Sequence, residues 1–163
     1  MAARYAVGGV GGVPGAIFNK LLAGRYEDAR RILMEEHLPQ RVLVVDDEEC
    51  LAQALSQYLE CVGYLVKVCR SAREARRVVD WGERGFDLAL VDQQLGTESG
   101  DLLVRYLLDT IPAIRIALMS GMPMEPEQLP ACDPERLVFL QKPFRPADVA
   151  QCLKNLSETQ PGK

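Results

Sequence analysis

Histidine is nearly missing from this chain of 163 residues, which contains only His37. That scarcity excludes a multi-histidine metal site and leaves no convincing Ser/His/Asp triad. His37 reads as a polar residue near the end of a surface helix rather than as a phosphoryl carrier. The five cysteines, Cys50, Cys61, Cys69, Cys132 and Cys152, form no C-x-x-C pair and are odd in number. Neither zinc nor a disulfide framework is indicated, and they are expected to be reduced thiols in a cytoplasmic protein. Long apolar runs are lacking too: the uncharged stretch from Tyr5 to Phe18 is diluted by glycines and by Pro14, so no membrane span is expected. There is no excess of basic charge. A formal charge of -4 gives no general attraction to a phosphate backbone or to anionic lipid, so direct nucleic-acid binding is not expected. Phosphate loops are missing as well, because Gly9-Val10-Gly11 meets Pro14 where a third glycine is required and no G-x-x-x-x-G-K-[ST] occurs.

What is present suits one compact domain, since 48% of the residues are hydrophobic and can bury a continuous core. Residues 1–39 are expected to stand apart, as a flexible glycine-rich arm followed by a short helical extension. Within that extension Leu22 to Ala29 looks like part of a tetratricopeptide unit, but one such unit cannot bury its own face and no second copy follows. From Arg41 the pattern changes to short apolar runs alternating with helical periodicity. Strands are predicted over 42–45, 64–68, 86–91, 114–119 and 136–140. Helices are predicted over 48–62, from the capping box Ser71-Ala72-Arg73-Glu74 to Trp81, over 100–109, and from Pro146 onward. Leu51, Leu55, Leu59 and Val62 should share one buried face, and Lys67 suits an edge strand. Between Pro123 and Pro134, four prolines in twelve residues leave room for a short or broken fourth helix. The alternation implies an α/β fold, a flavodoxin-like doubly wound sheet of five parallel strands in the order 2-1-3-4-5. This domain is expected to cover residues 40–157, with 158–163 as a tail.

In such a sheet, ligands bind beyond the carboxyl ends of the strands. Those ends carry the chemistry here: Asp46 and Asp47 after the first strand, Asp92 after the third, Ser120 after the fourth and Lys142 after the fifth. Three carboxylates at close range repel one another and call for a hard divalent cation. Magnesium suits them, since it commonly takes one or two carboxylates together with water and phosphate oxygens. The remaining carboxylate can then attack phosphorus in line, while the Lys142 ammonium and the Ser120 hydroxyl meet the phosphoryl oxygens.

The segments Val44-Val45-Asp46-Asp47-Glu48, Leu90-Val91-Asp92, Met119-Ser120-Gly121 and Gln141-Lys142-Pro143-Phe144 resemble, in order and spacing, the motifs of the response regulator receiver family. The resemblance implies that Asp92 is the phosphoacceptor, that Asp47 and Asp92 ligate Mg2+ directly, and that Asp46 helps through water. It further implies that the Gln94 backbone carbonyl completes the metal ligands, that Ser120 and Lys142 hold the phosphoryl oxygens, and that Phe139 is the switch aromatic paired with Ser120. Gly96 departs from the family, which usually has proline there, and a looser loop after Asp92 is the expected result.

The reading that follows is a single-domain response regulator that takes its phosphoryl group from a histidine kinase or a histidine phosphotransfer protein and switches binding to a downstream protein target. A homodimer is compatible with it. The nineteen residues after Phe144 hold the last helix and a tail, so output is expected to come through partners. The alternative is a pseudo-receiver that acts as an interaction module independent of phosphorylation. An enzyme of the haloacid dehalogenase type would need D-x-D, and Gln94 stands where its general acid belongs. Beyond magnesium-dependent modification of itself, no enzymatic turnover is expected.

Overall fold

A computed structural model of the chain describes residues 39–82, 85–122 and 135–158. The expectations for the amino-terminal arm and helical extension, for a helix within 123–134 and for the final tail fall outside these residues. Seven strands and four helices are present among the described residues. In chain order they are β1 (Arg41–Val45), α1 (Glu49–Cys61), β2 (Leu65–Cys69), α2 (Ala72–Asp80), β3 (Leu88–Asp92), β4 (Gln94–Leu95), β5 (Glu98–Ser99), α3 (Gly100–Thr110), β6 (Arg115–Ser120), β7 (Leu137–Gln141) and α4 (Pro146–Glu158).

Five strands form one parallel sheet in the order β2-β1-β3-β6-β7, which is 2-1-3-4-5 when the sheet's own strands are counted. The sheet is doubly wound. Alternate residues of each strand point to opposite faces, and the core divides accordingly. Leu43, Val45, Ala89, Val91, Ile116 and Leu118 pack with α2 and α3 on one face. Val42, Val44, Leu88, Leu90, Ala117 and Met119 pack with α1 and α4 on the other. Strands buried on both sides read as continuous apolar runs, which is why β1 and β3 stand out in the sequence. Lys67 lies exposed on β2, an edge strand, as expected.

Helix α1 buries Ala52, Leu55 and Leu59, one stripe at spacings of three and four. Removing the fully buried Leu55 side chain leaves a cavity worth about 2–5 kcal/mol. Val62, expected on that stripe, instead follows the last helical turn as the C-cap and is 50% exposed. The capping box forms with a variation. Ser71 Oγ accepts the Glu74 N–H at 3.1 Å, while the Glu74 carboxylate reaches past Ser71 to the Arg70 N–H at 2.7 Å.

The feature not anticipated is the antiparallel hairpin of β4 and β5, directly after β3. Its two-residue turn places Gly96 at φ +61, a conformation that glycine adopts without strain and that such hairpins require. The segment after Asp92, where a looser loop is expected from the missing proline, is a hydrogen-bonded hairpin turning at Gly96.

Candidate functional site

The carboxyl end of the sheet gathers the polar residues that the sequence assigns to strand ends. Asp92 is the last residue of β3 and Ser120 the last of β6; Asp46 follows β1 and Lys142 follows β7. Asp46, Asp92 and Ser120 are the buried polar residues among those described. Burial of such groups is tolerated only when they are partnered.

Asp46 is fully buried. Its Oδ1 accepts the Glu48 N–H at 2.9 Å and its Oδ2 lies 3.4 Å from Lys142 Nζ. Burial raises its pKa; the Glu48 N–H and the Lys142 charge oppose that rise without cancelling it. Asp92 Oδ2 accepts from Lys142 Nζ at 2.7 Å and Asp92 Oδ1 accepts the Gln94 N–H at 3.2 Å. Burial works to lower the pKa of Lys142, but the hydrogen bond to Asp92 and the charges of Asp46 and Asp92 outweigh it, so the ammonium is held above its ordinary value. Asp47 is exposed, and its backbone carbonyl accepts from the Arg70 guanidinium at 3.2 Å.

Asp46, Asp47 and Asp92 each offer a carboxylate oxygen within 4.8 Å of the others. At an effective dielectric of about 20, each such pair of charges repels by roughly 3–4 kcal/mol. One ammonium offsets only part of this. A compact set of hard oxygen donors with surplus negative charge fits a divalent cation such as Mg2+. The Gln94 carbonyl, expected to join the ligands, belongs to the same extended residue whose N–H meets Asp92.

Ser120 and Phe139 occupy neighbouring strands. Phe139, paired in register with Leu118, is half-buried against the core cluster that includes α2 and α3. The Ser120 backbone carbonyl accepts the Lys142 N–H at 2.7 Å, tying the ends of β6 and β7 together. Its hydroxyl bonds to the Gln93 side chain at 2.6 Å and to the Met122 backbone.

Gln93 and Gly100 are the contributors that sequence reasoning missed. A Cβ added to Gly100 would stand 2.1 Å from the Asp92 carbonyl oxygen, so only glycine lets α3 begin against the end of β3. The available signals were a glycine directly after the capping Ser99 and an amide side chain beside Asp92.

Comparison with known proteins gives the same assignment: the sequence profile of the response regulator receiver domain matches residues 42–154. The chain belongs to the response regulator receiver family. The regulatory protein VanR of Enterococcus faecium is 29% identical over 119 residues, covering 72% of this receiver chain and 49% of VanR. Protein PetR of Rhodobacter capsulatus is 32% identical over 111 residues, covering 68% of this chain and 46% of PetR. The receiver chain thus spans about half the length of these curated relatives. In fold it is similar to a CheY-like receiver domain protein from Methanospirillum hungatei, with a TM-score of 0.63 at 23% identity, covering 74% of this chain and 96% of that one. Receivers serve two-component signalling, and magnesium and aspartyl phosphate are general to the family. Among the described residues, no helix of this receiver is long and apolar enough to cross a membrane.

Proposed function

We propose that Asp92 accepts a phosphoryl group, in the cytoplasm, from a histidine kinase or a histidine phosphotransfer protein, and that the modified domain changes its affinity for a downstream protein target. The contact that carries this reading is the 2.7 Å bond from Lys142 Nζ to Asp92 Oδ2 beside two further carboxylates. It supplies an acceptor oxygen and a cation for the phosphoryl group in one place. An Asp92 carboxylate oxygen attacks phosphorus in line as the bond to the donor nitrogen breaks. Asp46, Asp47, Asp92 and the Gln94 carbonyl would hold Mg2+, which when bound withdraws charge from the phosphoryl oxygens. Lys142 exchanges part of its contact with Asp92 for the incoming oxygens, and the Ser120 hydroxyl donates to another. The added negative charge then draws Ser120 toward the acceptor, and Phe139 turns into the space left behind.

Incubation with phosphoramidate and magnesium should add one phosphoryl group per chain, read as a retarded band on a phosphate-affinity gel. Asp92→Asn should abolish it. An unmodified wild-type chain, or modification that survives Asp92→Asn, overturns the reading. Hydrolysis of a generic phosphate monoester should stay at background, because this chain carries Gln94 where a second carboxylate would be needed.

A further inference from the structure

A serine hydroxyl has one proton to donate. In this structure Ser120 Oγ accepts the Met122 N–H at 3.1 Å, and its proton faces two acceptors, Gln93 Oε1 at 2.6 Å and the Met122 carbonyl at 2.9 Å. The shorter contact is the one to Gln93. Among the described residues, no hydrogen bond joins Ser120 to Asp92. Gln93 is itself held in place by its backbone: its N–H donates to the Met119 carbonyl at 2.9 Å, and its carbonyl accepts the Gly100 N–H at 2.8 Å. The amide side chain therefore projects from a platform fixed between β6 and the start of α3.

We infer that Gln93 is a latch, a positioning residue that engages the Ser120 hydroxyl and withholds it from a phosphoryl group on Asp92. The inference rests on Asp92 being the acceptor. Switching then requires the Gln93–Ser120 bond to break before the bond from Ser120 to phosphoryl oxygen can form. The residue next to the acceptor thus sets how readily the receiver switches, without touching the reacting atoms.

The test uses the full chain with magnesium and two probes: beryllofluoride affinity by calorimetry and the initial rate of modification by phosphoramidate. Gln93→Met keeps length and removes the acceptor oxygen. It should tighten beryllofluoride binding and raise the rate by about threefold to tenfold, the range set by one neutral hydrogen bond. The gain should vanish in the Ser120→Ala background, which a merely structural role of Gln93 would not produce. A slower or unchanged Gln93→Met, or a gain that persists without the Ser120 hydroxyl, overturns the latch. Gln93→Ala, held to the same criteria, replaces Gln93→Met if the latter does not fold. A wild-type chain that binds no beryllofluoride and takes no phosphoryl group overturns the acceptor reading itself, and the latch with it. A responsive wild type with an unresponsive Gln93 removes the latch alone.

Discussion

At the amino ends of the strands, charge is spent on closing helices; at the carboxyl ends it is left unbalanced. Arg115, the first residue of β6, donates to the carbonyls of Leu156 and Ser157 at the end of α4, at 2.8 and 2.9 Å. Arg136, just before β7, reaches the carbonyls of Leu108, Ile111 and Ile114 at 3.1–3.3 Å. Cations at helix carboxyl termini satisfy orphan carbonyls and complement the helix dipole. Nothing further is demanded there. At the opposite end, Asp46 and Asp92 share the Lys142 ammonium and Asp47 stands beside them, so negative charge is in surplus there. The difference separates a fastening from a receptor within a single sheet.

Lys142→Met should break the contrast most severely. With the ammonium gone, phosphoramidate labelling of Asp92 should slow by about 10²–10³-fold, the loss typical of one charge-stabilising donor. Arg136→Met attacks the other end. It should lower stability by about 2–4 kcal/mol in urea denaturation, while beryllofluoride affinity stays within about twofold of wild type. If that affinity collapsed as well, the two ends would not be independent.

Magnesium sharpens the contrast from the receptor side. At about one hundred times its dissociation constant it should stabilise the fold by about 2.7 kcal/mol, seen as a rise in melting temperature. The same increment should appear in Arg136→Met, since distant sites add, and should shrink in Asp47→Asn, which removes one carboxylate of the cluster. Trp81 is a poor reporter for any of this: it is 85% exposed and caps the carboxyl end of α2, on the fastening side.

The smallest effect concerns Tyr64, which precedes β2. Burial, and then the Glu158 charge, raise its pKa above the ordinary 10.0. The folded chain keeps this proton longer than the unfolded chain does, so the stability it contributes is complete below about pH 10 and is lost as pH climbs through the raised value. Tyr64→Phe should therefore flatten the alkaline end of a stability profile and leave the neutral region unchanged.

Much of the fold and of the candidate site was legible because buried parallel strands are apolar throughout and stop at charged residues. The same contrast displaced the boundaries. Hydrophobicity stops before the strand does, so Asp92, Ser120 and Gln141 are still hydrogen-bonded into β3, β6 and β7, although the apolar pattern ends ahead of them. The β4–β5 hairpin left no trace, because strands of two residues show no periodicity and depend on the φ of Gly96 rather than on side-chain pattern. Gln93 was hidden for a related reason: its contact with Ser120 spans 27 positions and follows from register between strands, which composition does not encode. Val62 shows the opposite error, since its spacing fits the buried stripe of α1 but the helix ends before it.

Gly100 leaves Asp92 without slack on one side. The amino end of α3 lies against the peptide group of Asp92, too close for even a methyl, and its N–H is bonded to the next carbonyl along. A rod of eleven residues stands behind that contact, with Leu103, Val104 and Leu107 embedded in the core. Load applied at Asp92 therefore meets a stop in the direction of α3.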